Sequence, residues 1–257
     1  MFITGVIGFP LKLTYSPLLH NTAFKKLRIP GVYYPLCVPP ENFKEIIFKL
    51  KELGFSGVNI TNPYKIEILK YLDGVNPTVM DIGAVNTVFI ENNKMVGENT
   101  DTYGFRESLK AYDIDLKNKI VLIIGAGGVA RAILYVLCKE RTQRIFITNR
   151  TISKAYPLIE NYDIEGIELK RVPRILKDVD FVINATSIDI HKRIIPFLKN
   201  GSIYYDTNYR FKISERKGIK VINGIEMLVL QGAYSFSLWT KQAPPVSIMR
   251  DALKEVL

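Results

Sequence analysis

The apolar run Ile120-Val121-Leu122-Ile123-Ile124 stops at Gly125-Ala126-Gly127-Gly128, and a helical pattern follows at once, over 128–139. An apolar run followed by a helical pattern reads as one strand–helix step, and strand–helix–strand alternation argues for a mainly parallel sheet. The stretch Gly125-Ala126-Gly127-Gly128-Val129-Ala130 fits G-x-G-x-x-A. The first glycine permits the tight turn, the second lets backbone approach a pyrophosphate, and the small Ala130 permits close packing of helix on strand. Helix amides then point at the phosphates. Two glycines alone are a weak signal, but the strand before them and the helix after them supply the confirming context. A dinucleotide is the expected ligand.

The end of the next strand, Arg144-Ile145-Phe146-Ile147-Thr148-Asn149-Arg150-Thr151, selects which dinucleotide. An acidic residue there would accept the ribose hydroxyls of NAD. This chain has Asn149 and Arg150, with Lys154 one turn on. A guanidinium matches phosphate geometry and stacks on an adenine face, so a 2′-phosphate, and hence NADP, is expected.

Strands and helices alternate on both sides of this motif. Before it, strands at 2–7, 32–38 and 57–60 are separated by helical patterns at 17–27 and 42–53, where Phe43, Ile46, Ile47, Leu50 and Leu53 recur at helical spacing. Runs at 84–90 and 95–97 flank Asn92-Asn93 as a hairpin. Phe105, Leu109 and Tyr112 suggest a connecting helix. After the motif come strands at 144–148, 179–184, 202–206 and 219–222, with a helix at 152–160. A long apolar helix over 224–242 is broken by Pro244-Pro245, and Ile248, Leu253 and Leu257 suggest a last helix. Such a tail is too short for a core of its own. The fold class is therefore α/β, in two domains with mainly parallel sheets. Residues 1–102 form the first domain, onto which 231–257 pack back, so that it is discontinuous; 103–230 form a Rossmann-type domain.

A chain of 257 residues, 47% hydrophobic and 23% charged, suits a soluble protein of one or two domains. No apolar run is long enough to cross a bilayer, and Phe2-Ile3-Thr4-Gly5-Val6-Ile7-Gly8 lacks a basic n-region, so a first strand rather than a signal peptide, and no membrane partner, are expected. Cys37 and Cys138 are the only cysteines, so a reducing, cytoplasmic setting is expected. The net charge of +10 invites a nucleic-acid reading. However, the lysines are dispersed on helix faces, as at Lys44, Lys49 and Lys51, with no basic block interleaved with aromatics, so no nucleic-acid partner is expected. Two cysteines and two histidines, widely scattered, give no metal-ligand spacing.

Two polar clusters carry the chemistry. Lys65 ends Asn59-Ile60-Thr61-Asn62-Pro63-Tyr64-Lys65, and Asp101 ends Asn99-Thr100-Asp101. Asn59 and Thr61 alternate along a strand, so Lys65 projects from a strand end, and Asp101 follows another strand end. A lysine–carboxylate pair can hold an ammonium beside a substrate hydroxyl and transfer its proton. With a dinucleotide platform in the same chain, this is the chemistry of a reductase acting on a small polyhydroxylated molecule. His20 lies within an apolar helical pattern and His191 in the charged stretch His191-Lys192-Arg193; neither shows a carboxylate partner, and structural or surface roles are expected.

At these residues the chain resembles the shikimate dehydrogenase family over nearly its whole length. The family's S-x-S-P corresponds to Thr14-Tyr15-Ser16-Pro17, its N-V-T-x-P-x-K to Asn59–Lys65, its G-A-V-N-T to Gly83-Ala84-Val85-Asn86-Thr87, and its N-T-D-x-x-G to Asn99–Gly104. The glycine turn, Asn149-Arg150-Thr151, Asn184-Ala185-Thr186-Ser187, Gly224, Met227-Leu228 and Gln231 follow in family order. The resemblance implies reversible, NADP-dependent reduction of 3-dehydroshikimate to shikimate, on the route to aromatic amino acids, by a monomer or homodimer. A dehydrogenase also accepting quinate is the alternative. The resemblance further implies Lys65 as the proton-transfer residue, paired with Asp101. Thr14, Ser16, Thr61, Asn86, Asp101, Tyr209 and Gln231 are implied substrate ligands, with Asn59 lining the site. Gly125, Ala126, Gly127, Gly128, Val129, Asn149, Arg150, Thr151, Lys154, Thr207 and Gly224 are implied cofactor contacts. The chain departs from the family pattern at Thr14, a threonine for serine, at Ile188-Asp189-Ile190, which lacks a glycine, and at Asp206-Thr207-Asn208-Tyr209-Arg210-Phe211, which lacks a proline.

Overall fold

A computed structural model describes residues 1–11, 14–162 and 164–256, so Leu257, expected in the last helix, lies outside the described residues. By its internal contacts the chain divides into two units. Unit 1 is Met1–Ser108 with Leu228–Leu257, and unit 2 is Leu109–Met227. Both divisions fall inside helices.

Unit 1 begins β1 (Phe2–Gly8), α1 (Ser16–Lys26), β2 (Gly31–Cys37), α2 (Pro40–Glu52) and β3 (Gly57–Ile60). A 3-10 turn (Glu67–Tyr71), β4 (Gly74–Val75), α3 (Pro77–Ile82), β5 (Thr87–Glu91), β6 (Lys94–Glu98) and α4 (Thr100–Ala111) follow. The sheet order is β2-β1-β3-β5-β6-β4. β1 pairs in parallel with β2 and β3, and β4 with β6, whereas β5 is antiparallel to β3 and β6, so the sheet is mainly parallel with an antiparallel insert. The expected hairpin supplies that insert. Asn92 and Asn93 both hold positive φ, 51° and 60°, the backbone of the tight turn whose twist matches two adjoining strands.

The strand expected from Ala84 starts only at Thr87. The preceding residues serve another element: Val85 N–H donates to the Lys65 carbonyl at 2.7 Å, and Ala84 O accepts from Asn99 Nδ2 at 2.8 Å. The core of unit 1 includes Ile7, Phe43, Ile47, Val58, Tyr64 and Val88, with Phe43 and Tyr64 stacked at 3.8 Å.

Unit 2 contains β7 (Ile120–Ile124), α5 (Gly128–Lys139), β8 (Arg144–Thr148), α6 (Tyr156–Asn161), β9 (Glu165–Gly166), α7 (Val172–Ile175), β10 (Phe181–Asn184), α8 (His191–Ile194), β11 (Ile203–Asp206) and β12 (Lys220–Ile222). The strand order is β12-β11-β10-β7-β8-β9, and every pair is parallel. The connections run outward from β7 in both directions, so the order reverses between β7 and β10, the place where open α/β sheets bind ligands. Val121, Leu122 and Ile123 are wholly buried, as a strand covered on both faces requires.

Two C-terminal helices close the chain, α9 (Ile225–Thr240) and α10 (Val246–Lys254). The portion of α9 from Leu228 on belongs to unit 1. Trp239 Nε1 donates to Val88 O at 3.0 Å, and a Cβ on Gly57 would meet that indole at 2.3 Å, so Gly57 is what lets α9 lie on the sheet. α10 packs on α1. Among the described residues, no helix is long and apolar enough to cross a membrane.

Candidate active site

In unit 1 the polar residues singled out in the sequence meet at the ends of β1, β3 and β6. Lys65 sits in the consecutive turns of Asn62–Ile66, between β3 and the 3-10 segment. It is 6% exposed, and its Nζ lies 2.5 Å from Asp101 Oδ2. Asp101 is 5% exposed and stands in the first turn of α4. An ammonium and a carboxylate this buried must be paired and further hydrogen-bonded, or they would neutralise. The additional bond comes from Asn86, whose Nδ2 donates to Asp101 Oδ1 at 2.9 Å. Gln231 on α9 reaches the same amide, Nδ2 to Oε1, at 3.3 Å.

Thr61 is half-buried beside the end of β1. Its backbone N–H donates to Ile7 O at 2.9 Å, and a Cβ on Gly8 would strike Thr61 Cγ2 at 2.4 Å, so glycine is what admits the threonine here. Ser16 opens α1, with its N–H donating to Thr14 Oγ1 at 3.2 Å. No acidic residue stands in that first turn. Hydroxyls and free amides at a helix start suit an anion.

Asn59 differs from the expectation of a site-lining ligand. Its Oδ1 accepts from Tyr33 OH at 2.7 Å, and its Nδ2 lies 2.9 Å from Thr87 Oγ1 and 3.0 Å from Ser235 Oγ. Its Nδ2 also lies 3.2 Å from Asn86 O, so this amide is tied to buried groups at both ends. Ser235, Thr87, Thr100 and Tyr33 are members of the web that the sequence reading missed. A lone serine or threonine at helical or strand spacing carries no signal of its partners.

In unit 2, Gly125 holds φ at 120°, and a Cβ there would come within 2.9 Å of Ala185 O, so both conformation and space demand glycine. Ala126 and Val129 flank this turn, half-buried. Gly127 caps α5 with no side-chain hydrogen bond, and a Cβ there would meet nothing within 4 Å, so the amides of the first turn stay open. Beyond β8, Asn149 Nδ2 donates to Thr151 O at 2.8 Å and shapes the turn that leaves Arg150 and Lys154 exposed. Thr207 donates from Oγ1 to Asn184 O at 2.9 Å. A Cβ on Gly224 would collide with Thr207 O at 2.1 Å, so this glycine also permits a close backbone approach.

Tyr209, expected among the substrate ligands, belongs to unit 2 and is half-buried. The departure segments knit together locally: Asn184 Nδ2 donates to Ile188 O and to Asp206 Oδ2, at 2.9 and 3.0 Å. Burial raises the Asp206 carboxyl above the usual range, against the opposing effect of amide donors from Asn208 and Asn184. His191 does have a carboxylate partner, contrary to expectation: Asp189 Oδ1 lies 2.5 Å from Nδ1, and the ring is buried. His20 is fully buried, stacked on Tyr33 at 4.2 Å and close to Trp239, and burial lowers its pKa to about 3.

Three stretches of the chain match known families. Residues 6–88 match the shikimate dehydrogenase substrate binding domain family, 107–195 the shikimate / quinate 5-dehydrogenase family, and 224–254 the shikimate 5'-dehydrogenase C-terminal domain family. The chain is 38% identical, over 98% of its own length and 96% of the relative's, to shikimate dehydrogenase (NADP(+)) of Carboxydothermus hydrogenoformans. It is 36% identical to that of Methanocaldococcus jannaschii, over 98% and 95%. Among solved structures, shikimate dehydrogenase of Aquifex aeolicus superposes with a TM-score of 0.91 at 33% identity, over 99% of this chain and 98% of that one. The Thermus thermophilus enzyme in complex with NADP(H) and shikimate gives 0.87 at 32% identity, over 100% of both chains.

Proposed function

The chain belongs to the shikimate dehydrogenase family, and on that premise we propose that it catalyses the reversible, NADP-dependent reduction of 3-dehydroshikimate to shikimate. The observation that carries the mechanism is the buried Lys65–Asp101 pair, 2.5 Å apart and braced by Asn86.

Unit 2 fits the cofactor. The Gly125 cradle, the open first turn of α5 and the exposed Arg150 and Lys154 suit a pyrophosphate and a 2′-phosphate. Gly125–Val129 would hold the diphosphate, Asn149, Arg150, Thr151 and Lys154 the adenosine phosphate, and Thr207 with Gly224 the nicotinamide end. When bound, NADPH supplies the hydride that reaches the ketone carbon.

Reduction develops negative charge on the ketone oxygen. The Lys65 ammonium stabilises that charge and delivers the proton; in the reverse direction the neutral amine takes it from the hydroxyl. Asp101 keeps Lys65 in place and accepts a hydrogen bond from a substrate hydroxyl. Asn86 and Gln231 orient further hydroxyls. Thr14 and Ser16, with the first amides of α1, receive the substrate carboxylate, and Thr61 adds a further contact. Shikimate carries both the carboxylate and the row of hydroxyls that such donors suit. The protein acts as a cytoplasmic monomer or homodimer.

The test is a spectrophotometric assay with shikimate and with quinate, each with NADP and with NAD. Rapid turnover of shikimate with NADP is expected. A preference for quinate, or for NAD, would overturn the proposal.

A further inference from the structure

The polar web of unit 1 extends well beyond any group that a substrate could touch. Followed donor by donor, it runs in one direction. Tyr33 OH donates to Asn59 Oδ1 at 2.7 Å, which leaves Asn59 Nδ2 to donate to Thr87 Oγ1 at 2.9 Å and to Ser235 Oγ at 3.0 Å. Thr87 passes its own proton to Asn86 Oδ1 at 3.1 Å, and the Thr100 amide donates to that same oxygen at 2.6 Å. With its oxygen so engaged, Asn86 turns Nδ2 to Asp101 Oδ1 at 2.9 Å and to Thr100 Oγ1 at 2.9 Å. Thr100 Oγ1 lies 3.0 Å from Ser235 Oγ and donates to it, and Ser235 donates in turn to Gln231 O at 3.0 Å. This assignment gives each hydroxyl one donated bond and leaves neither amide with a clash. Turning the Asn86 amide end for end would set a carbonyl oxygen against the Asp101 carboxylate.

Ser235 is the point at which α9 enters this circuit. It is wholly buried and sits one helical turn after Gln231. Its oxygen accepts from Asn59 and from Thr100, the residue next to Asp101. Without it, Asn59 Nδ2 must shift its second hydrogen to the Asn86 carbonyl, 3.2 Å away, and the Thr100 hydroxyl is free to swing to Asn86 Oδ1, also 3.2 Å away, so both rearrangements fall on Asn86. We infer that Ser235 is a positioning residue for the Lys65–Asp101 pair, acting through Asn59, Thr100 and Asn86 and touching neither substrate nor cofactor. The inference rests on the reading of Lys65 and Asp101 given above.

Ser235→Ala and Tyr33→Phe, which break the circuit at separate points, test it in the full-length enzyme. For Ser235→Ala, loss of one net hydrogen bond's worth of order predicts a fall in kcat of about fivefold, with the KM for NADPH unchanged. Tyr33→Phe lowers kcat in the same direction, with the KM for NADPH again unchanged. In a Lys65→Met background, Ser235→Ala leaves the residual rate unchanged. A normal kcat in both variants, a loss of kcat that only tracks a fall in Tm, or an equal loss in the Lys65→Met background would each overturn the inference. Near-normal turnover of Lys65→Met by itself would instead overturn the reading of Lys65, and that is measured before Ser235 is changed.

Discussion

The two units build their candidate sites by opposite means. In unit 1, Lys65, Asp101 and Asn86 are buried side chains closed on one another by hydrogen bonds of 2.5 and 2.9 Å. In unit 2, the Gly125 turn offers backbone, and Arg150 and Lys154 offer exposed charge without an ion-pair partner among the described residues. Proton transfer needs a fixed geometry and a low dielectric, and a web of buried donors supplies both. A nucleotide brings its own charge and needs only amides with room to approach and a cation that can reach out. The difference teaches that truncations in unit 1 should be felt in the rate, and truncations in unit 2 in cofactor affinity.

The largest effect expected from that contrast is at Lys65. General acid–base catalysis is typically worth about 10²–10⁴-fold, so Lys65→Ala and Lys65→Met should both lower turnover by that order while NADPH titration stays nearly unchanged. Equal losses in rate and NADPH affinity would break the separation between the units. Arg150→Ala should do the reverse: NADP binding weakens by roughly tenfold to a hundredfold, NAD binding hardly changes, and kcat at saturating NADPH holds. Equal binding of NADP and NAD by the wild type would remove the argument from Arg150.

A third test separates the units by pH. His20 has its pKa lowered by burial from 6.5 to about 3, so below 6.5 the unfolded chain takes the proton first. Stability from this group is complete above pH 6.5 and is lost as pH falls toward 3. At pH 5 the loss is about 2 kcal/mol. His20→Phe should therefore flatten the pH dependence of urea unfolding between pH 7 and 5, and an unchanged slope would contradict a neutral buried ring. The smallest effect is expected outside both regions. Lys51 pairs with Asp73 at 3.0 Å near the surface, and Lys51→Ala should cost no more than about 1 kcal/mol in urea unfolding, with kcat unaltered.

What could be read from sequence was what neighbouring residues decide among themselves. β7, the Gly125 turn and α5 are contiguous, so apolar run, glycine spacing and helical period could be read together, and the Asn92-Asn93 turn announced its hairpin. β4 and α3 could not be read: a two-residue strand has no period, and α3 is one short turn behind Pro77. The Asp189 partner of His191, two residues away, was missed because adjacency in sequence does not tell whether a ring is turned inward.

Lys65, Asp101 and Asn86 were identifiable as residue types on recurring motifs, but their roles in a closed circuit were not. The resemblance implies that Asn59 lines the site, but not that its Nδ2 is bound to Ser235, 176 residues further along the chain, and to Thr87, 28 residues away. Whether a polar atom is free for a substrate depends on whether another buried group already satisfies it, and that partner is delivered by the return of α9 onto the first sheet. Sequence by itself determined the motifs, the alternation of strands and helices and the charge beside β8. Only tertiary structure decided which polar atoms remain open and which way each amide points, because hydrogen-bond saturation belongs to the packed neighbourhood and not to the residue.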